Sequence, residues 1–262
     1  MSPAPIAVVI PTLDTPGPLA RVLAELADWE QRTGRALLPY VVDDGSARPM
    51  ALTAPRPAGT RLLRHAQNRG YGGAQKTGFA AALARGCGAV VLLHGDGQYA
   101  TAATVDLALR LEDSGADAML GSRFLPGPAT PIPGWRRAGN RALTGLANLR
   151  FGAALSELHT GARAYAAARL NALPFDQYSD NYVFDHEVLA ALLHSGAQIG
   201  EAPVPARYDE TVRSIPPLRA VRYGLGCLRT LIWPPRSAAP TESPRRGGQA
   251  SRRTPGAPPG DA

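Results

Sequence analysis

An apolar strand that ends abruptly in polar residues, AVVLLHGDGQY at residues 89–99, decides the fold of this chain. The apolar run is typical of a buried parallel strand. In open α/β sheets, ligands bind just beyond the carboxyl ends of the strands. The oxygens of Asp96 and Gln98 suit Mg²⁺ or Mn²⁺, ions that usually share their coordination with substrate phosphates. The stretch therefore predicts a metal and phosphate site, whereas a plain Gly-Asp-Gly turn is the alternative interpretation.

Polar residues follow the other predicted strands of the first half in the same way. The strands at 6–10, 40–42 and 118–120 run into Pro11-Thr12-Leu13-Asp14, Asp43-Asp44-Gly45-Ser46 and Gly121-Ser122-Arg123. A weaker strand is predicted at 61–63, and helical patterns at 19–29, 70–84 and 102–111. Strands that alternate with helices predict right-handed crossovers and a mostly parallel sheet with helices on both faces. The polar strand ends should therefore converge on one crevice.

The second half of the chain is less regular. Its pattern predicts helices at 136–151, 183–193 and 219–232, an edge strand at 162–165, a strand at 198–204, and loops at 126–134 and 207–215. The last helix is amphipathic. From Pro234 onward, Pro, Gly, Ser and Arg dominate without a hydrophobic pattern, which predicts disorder.

The charge and cysteine content exclude several classes of protein. The net charge is +7, but part of this excess lies in the tail, and no basic stripe with interleaved aromatic residues indicates nucleic-acid binding. An anionic substrate or a membrane surface explains the excess. Cys87 and Cys227 lie far apart, without CxxC spacing, and are expected to be reduced core thiols. Without a basic n-region or a membrane-spanning apolar stretch, we expect a cytoplasmic protein, either soluble or peripheral.

The predicted crevice has the chemistry of a nucleotide diphosphate site. Carboxylates near Asp43 can accept the N–H groups of a base or bond ribose hydroxyls. Asp96 can hold the metal ion that neutralises a diphosphate. The segment 70–73, at the start of a predicted helix, offers backbone N–H groups and a favourable dipole to an anion.

The ordered set of motifs resembles the family 2 inverting glycosyltransferases of GT-A fold, over roughly residues 5–215. The closest resemblance is to the dolichol- or polyprenol-phosphate mannose synthase branch and its soluble bacterial relatives. The motifs are Val9–Thr12, Val42–Ser46, Asn68–Gly70, Asp96–Tyr99, Gly121–Phe124, Leu158–Tyr165, Phe184–Glu187 and Glu201–Tyr208.

This resemblance implies an enzyme that uses a nucleotide diphosphate sugar and Mg²⁺ or Mn²⁺. It implies a donor half at about 5–125 and an acceptor half at 126–215. The sequence pattern adds an amphipathic helix at 216–233 and a disordered tail at 234–262.

The resemblance and the residue patterns together give the candidate site residues. The candidates for the donor are Pro11, Thr12, Asp14, Asp43, Asp44 and Asp96. The candidates for the metal are Asp96, Gln98 and His94, those for the acceptor are Arg123, Arg136, Arg163 and Arg207, and the catalytic candidates are Asp185 and Glu187.

Two departures from the family pattern affect these expectations. His94 stands where the first acid of the Asp-x-Asp motif usually stands, and an imidazole brings no charge and prefers softer ions than Mg²⁺. Leu13-Asp14-Thr15 replaces the usual Tyr-Asn-Glu, so the identity of the nucleotide base stays open.

The chemistry of the acceptor decides whether a base is needed. A hydroxyl acceptor requires a general base, for which Asp185 or Glu187 is the candidate. A phosphate acceptor is already a nucleophile, and arginines match it bidentately. The arginines in predicted loops and helix ends favour a polyprenyl phosphate, reached by a peripheral protein at the inner face of the membrane. The alternatives are a soluble hydroxyl acceptor and a non-catalytic nucleotide-sugar binder.

Overall fold

The computed structural model describes residues 3–127, 132–207 and 217–232, which form one α/β unit around a single sheet. The strands are β1 (Ile6–Thr12), β2 (Leu37–Asp43), β3 (Arg61–Arg64), β4 (Ala89–Leu92), β5 (Ala118–Ser122), β6 (Arg163–Ala166) and β7 (Ile199–Pro203). The helices are α1 (Pro16–Thr33), α2 (Tyr71–Leu83), α3 (Thr101–Ser114), α4 (Gly134–Phe151), α5 (Ala167–Asn171), α6 (Phe184–His194) and α7 (Pro217–Ile232).

The sheet has the order β3-β2-β1-β4-β6-β5-β7, and only β6 runs antiparallel to its neighbours among the described strands. The expected mostly parallel sheet is therefore confirmed. The prediction of an edge strand at 162–165 is wrong, because β6 lies between β4 and β5. A short strand that contains arginine has the pattern of an edge, but here Ala164 and Tyr165 are buried and the arginine is satisfied by backbone carbonyls.

The core has two layers because alternate residues of β1 point to opposite faces. Ile6, Val8 and Ile10 pack with α1 and α3, whereas Ala7 and Val9 pack with α2 and α6. Helices on both faces are thus confirmed.

Local sequence sets the ends of the first helices. Proline stands at the start of α1, where the missing N–H is not needed. Gly34 and Gly115 end α1 and α3 in the left-handed conformation, each with φ of 66°.

Several expectations fall partly or wholly outside the described residues. These are the loop at 126–134, of which residues 128–131 are not described, the loop at 207–215 beyond residue 207, and the tail at 234–262. In the described parts of the chain, no helix has both the length and the apolar character needed to cross a bilayer. Both cysteines are free and buried, as expected.

Candidate active site

The polar strand ends meet at one edge of the sheet, as the sequence predicts. Thr12 at the end of β1 pairs with Asp43 at the end of β2. On the other side of β1, the Gly95 N–H donates to the Pro11 carbonyl over 3.3 Å. Asp43 and the 95–98 loop that carries Asp96 therefore flank the end of the same central strand.

Asp43 is fully buried at this edge. Its carboxylate accepts hydrogen bonds from the Ser46 N–H at 2.9 Å, the Met50 N–H at 3.3 Å and Arg64 Nη1 at 2.7 Å. Burial alone would raise the pKa of Asp43, but these hydrogen bonds and the Arg64 charge outweigh it and lower the pKa below its usual value. The carboxylate thus folds the turn after β2, and its contact with a nucleotide stays a prediction.

Asp44 holds the glycine-rich segment before α2. Its two carboxylate oxygens accept the N–H groups of Arg69 and Gly70, each at 2.9 Å, and one of them also contacts His65 Nδ1 at 2.7 Å. The Gly72 and Gly73 N–H groups donate to the Asp180 carbonyl. The expected phosphate cradle at 70–73 is therefore wrong: the protein's own oxygens occupy these donors.

The glycines of this segment instead allow a close approach by the chain before α6. A Cβ on Gly70 would lie 2.4 Å from the Asp180 carbonyl oxygen, and one on Gly72 would lie 2.6 Å from that of Ser179.

Asp14 ties the loop after β1 to the loop after β2. It is exposed and has a φ of 53°. Its N–H donates to Ser46 Oγ and its carboxylate accepts the Ala47 N–H, both at 2.9 Å. Thr12 is buried beside it and bonds Thr15 Oγ1 at 2.7 Å, while Pro11 is half-buried.

Asp96 and Gln98 present oxygen atoms at the carboxyl end of β4. Both residues are half-buried, and Asp96 Oδ1 accepts the Gln98 N–H at 2.9 Å. Asp96 Oδ2 and the Gln98 side-chain amide make no hydrogen bond with the described residues, so both can face a ligand. The exposed Arg207 lies beside them, since its N–H donates to the Gln98 carbonyl at 2.7 Å.

His94 is turned toward α2 and α6. Its Nε2 atom lies 2.6 Å from the Tyr71 hydroxyl, which donates to Asp185 Oδ2 at 3.2 Å. Gln75 Nε2 donates to the other oxygen of Asp185 at 2.7 Å. Burial and the nearby Asp185 charge hold the pKa of Tyr71 well above its usual value, so this hydroxyl keeps its proton. Only Nδ1 of His94 is left for a metal.

Arg163 lies inside the protein rather than in a loop or at a helix end. It is 1 % exposed, and its guanidinium donates to the carbonyls of Leu158, Thr160 and Asp185. The acceptor contact predicted for Arg163 does not fit this position, because the backbone already takes its donors. The physical reason is that Arg163 begins β6, an interior strand of the sheet, and faces the first turn of α6.

Glu187 is also engaged. Its Oε2 atom accepts the Ser179 N–H at 2.8 Å and the Ser179 hydroxyl at 2.6 Å. Both predicted catalytic carboxylates, Asp185 and Glu187, therefore have partners from their own surroundings.

Arg123 is held by a fully buried glutamate, Glu157. The Arg123 N–H and Nε donate to Glu157 at 2.7 and 2.9 Å, Nη2 also contacts it, and Asn140 Nδ2 donates at 2.7 Å. The Glu157 N–H in turn donates to Glu201 at 3.0 Å. Arg136, the fourth predicted acceptor residue, lies in the first turn of α4 with its guanidinium 5.0 Å from the Trp135 ring centroid.

Known proteins match this chain in sequence and in fold. The family model described as glycosyl transferase family 2 matches residues 7–173. The chain belongs to glycosyl transferase family 2. This family 2 member is 31% identical to a dolichyl-phosphate hexose transferase of Haloferax volcanii over 70% of its own length and 75% of the relative. It is 30% identical to the polyprenol monophosphomannose synthase of Mycolicibacterium smegmatis over 63% of its own length, and spans 64% of that relative.

These relatives support the dolichol- and polyprenol-phosphate sugar transferase branch for the family 2 member. Its fold matches that of glucosyl-3-phosphoglycerate synthase from Mycobacterium tuberculosis, solved with Mn²⁺, uridine diphosphate and its product, with a TM-score of 0.61. At 18% identity, over 88% of this chain and 79% of that one, the likeness shows the GT-A fold alone.

The sequence analysis missed Glu157, Tyr71 and Gln75. One signal could have found Glu157: it is the only acidic residue between Asp117 and Asp176, a segment rich in arginine. A lone acid among arginines is expected to pair with one of them. Tyr71 and Gln75 carry no such signal, because their role depends on the packing of α2 against α6.

Proposed function

We propose that this family 2 glycosyltransferase moves a hexose from a nucleotide diphosphate sugar to a polyprenyl phosphate, with inversion at the anomeric carbon. The observation that carries the proposal is the carboxyl edge of the sheet. There, beside the end of β1, Asp96 Oδ2 and the Gln98 side-chain oxygen make no hydrogen bond within the described parts of the chain. The names of the polyprenol- and dolichyl-phosphate relatives support the acceptor class.

The side chains at this edge fit a hard divalent cation. The free oxygens of Asp96 and Gln98 suit Mg²⁺ or Mn²⁺, whereas His94 contributes at most one nitrogen, because its other nitrogen faces Tyr71. Such an ion would neutralise charge on the departing diphosphate. We therefore propose that Asp96 and Gln98 bind the ion. His94 instead positions the Tyr71 hydroxyl, which in turn positions Asp185.

The hydrogen bonds of the Asp185 and Glu187 carboxylates favour a phosphate acceptor over a hydroxyl acceptor. Asp185 accepts hydrogen bonds from Tyr71 and Gln75, and Glu187 accepts them from Ser179, so neither is an unengaged base. A phosphate monoester brings its own negative charge and needs no proton removed. Asp185 and Glu187 then orient the start of α6 rather than abstract a proton.

The decisive experiment measures release of nucleoside diphosphate from UDP-, GDP- and dTDP-sugars, with and without Mn²⁺ and a polyprenyl phosphate. Asp96→Asn should lower turnover at least about 100-fold. Asp113→Asn is the matched control, because this acid is exposed near the distal end of α3 and should leave turnover unchanged. A donor-induced rise in thermal stability without any turnover would identify a non-catalytic binder instead.

We further propose that α4 and α7 form the face that meets the cytoplasmic side of the membrane. The two helices are in contact, and Arg150 Nε donates to the Leu231 carbonyl across them. Large apolar side chains are exposed on both helices: Trp135, Leu146 and Leu149 on α4, and Val221, Leu225 and Ile232 on α7. Arginines on the same helices suit anionic headgroups.

Vesicle sedimentation tests this face. The protein should bind vesicles that contain anionic lipid more tightly than neutral ones. Leu149→Glu, at a side chain that is 84% exposed, should weaken this binding, whereas Leu62→Glu on β3 should not. Equal binding by both variants would contradict the assignment.

A further inference from the structure

A second group of potential metal ligands lies on the segment before β6 and on the helices α6 and α7. His159 precedes β6, His186 lies in the first turn of α6, and Cys227 lies on α7. One ligand atom from each lies within 4.8 Å of the others. His186 and Cys227 are almost completely buried, at 1% and 0% exposed.

The nitrogen atoms of this cluster lack the hydrogen bonds that buried polar atoms normally make. Nδ1 and Nε2 of His186 and Nε2 of His159 are all buried without a partner among the described residues. The Cys227 backbone carbonyl lies near the His186 ring and raises its pKa slightly against the effect of burial. Among the described residues, however, neither nitrogen of this ring has a hydrogen bond of normal geometry. A buried polar group left without a partner destabilises the fold, so this cluster of nitrogen atoms points to a ligand that they could bind.

The protonation states suit coordination. Burial lowers the pKa of His186 to about 4, and it also lowers that of His159 well below its usual value, so both rings are neutral with a free lone pair. Burial raises the pKa of the Cys227 thiol to about 12. A bound cation would displace this proton to solvent, because a thiol that coordinates a metal ion is deprotonated.

The surroundings also orient one ligand. The Tyr223 hydroxyl lies 2.8 Å from His159 Nδ1, which leaves Nε2 of that ring to face the cluster. Histidine ligands are usually held in this way through their second nitrogen. Ligand atoms around tetrahedral zinc lie about 3.4–3.6 Å apart, as follows from bond lengths of about 2.0–2.3 Å. Small side-chain rotations therefore close the cluster.

We propose that His159, His186 and Cys227 bind a zinc-class divalent cation that fastens α7 to α6 and to the segment before β6. Nitrogen and sulfur donors select Zn²⁺ or Co²⁺ over Mg²⁺. The ion completes a contact that already exists, since a Cβ on Gly226 of α7 would lie 2.5 Å from the Val183 side chain next to α6. None of these three ligands belongs to the proposed Asp96 and Gln98 site, so binding of this cation does not depend on sugar transfer.

Occupancy would act on two neighbouring segments. His186 is adjacent to Asp185, and the His159 carbonyl accepts a hydrogen bond from Arg123 Nη2 at 3.0 Å. The cation would therefore hold α7, with its exposed apolar side chains, against the start of α6 and the segment before β6.

The test uses the full chain, freed of any affinity tag, depleted with a chelator and titrated with Zn²⁺ or Co²⁺. We expect one equivalent per chain that gives a thiolate-to-Co²⁺ charge-transfer band in the near ultraviolet and a rise in the thermal midpoint. Any further equivalent, bound at Asp96, should give no such band. Cys227→Ser should abolish the band and weaken binding more than about tenfold. Tyr223→Phe should weaken binding about tenfold without changing the stoichiometry.

Two control variants complete the test. Cys87→Ser removes the other buried cysteine and Asp96→Asn removes the proposed Mg²⁺ or Mn²⁺ site, and both should keep the band. Co²⁺ binding by wild type without a thiolate band, or equal stoichiometry and affinity in Cys227→Ser, would overturn the proposal. The wild-type spectrum decides the question even where Cys227→Ser fails to fold.

Discussion

Replacing Glu157 by glutamine should destabilise the protein strongly, because it removes the buried carboxylate charge that pairs with the Arg123 guanidinium. The Glu157 side chain is 0% exposed and that of Arg123 is 8% exposed. Glutamine keeps the shape and one oxygen for Asn140, but its NH₂ group would face the N–H donors of Arg123.

The expected magnitude follows from this burial. Removing one partner of a buried ion pair costs about 3–5 kcal/mol. Because the glutamine oxygen still accepts a hydrogen bond, we expect the lower end, about 3 kcal/mol. For a folded unit of this size, that loss lowers the thermal midpoint by roughly 6–12 °C. Urea unfolding followed by circular dichroism, together with calorimetry, measures both quantities.

The chain contains a matched control. Asp28 and Arg32 form an ion pair at 2.8 Å with side chains that are 64% and 57% exposed. Asp28→Asn should cost less than about 0.5 kcal/mol, since water screens the pair. Combining Glu157→Gln with Arg123→Met should cost less than the sum of the single changes, because each single change breaks the same ion pair. A loss for Glu157→Gln as small as that for Asp28→Asn, or a purely additive double variant, would contradict this account of the buried ion pair.

Three further predictions concern the turn after β2, the packing of α2 and the segment before α6. The pKa of Asp43 is lower in the folded protein than in the unfolded chain, so ionised Asp43 stabilises the fold at any pH above its unfolded pKa. This contribution is lost as the pH falls through the folded pKa. Below about pH 4, the free energy of unfolding of wild type should therefore fall more steeply with decreasing pH than that of Asp43→Asn. Gly78→Ala places a Cβ 2.3 Å from the Val9 side chain of β1 and should destabilise the protein by about 1–3 kcal/mol, as measured by urea unfolding. As a control, Gly145→Ala adds a Cβ in open space on α4 and should stabilise the protein by up to about 1 kcal/mol. Lys76→Met removes hydrogen bonds to the 176–180 segment, so amide hydrogen exchange there should accelerate while exchange in the central strands stays unchanged.

Local patterns were sufficient for most of the first half. The strands before Thr12, Asp43 and Asp96 were predicted because an apolar run followed by polar or glycine residues is a short-range signal. Their convergence at one edge followed from the parallel topology and is confirmed by the pairing of β1 with β2 and β4. The motifs at these strand ends carried the resemblance to family 2, which the matching family model confirms.

Contacts between distant segments could not be predicted in the same way. The glycines before α2 have the pattern of an anion site, yet Asp44 and the Asp180 carbonyl, distant along the chain, take their N–H groups. An arginine in this part of the sequence is typical of phosphate binding. In the structure, however, Arg163 is buried next to α6, and its guanidinium donates a hydrogen bond to the Asp185 carbonyl.

The order of most strands and helices, the parallel sheet and the polar edge could be predicted from the sequence alone, because backbone geometry and hydrophobic periodicity act within a few residues. Tertiary packing sets which polar groups at that edge the protein itself satisfies and which are left for a ligand. Hydrogen bonds and burial depend on neighbours tens of residues away, as they do where Glu157 meets Arg123 and where Cys227 meets two histidines. Those partners are brought together only when the helices pack on the sheet.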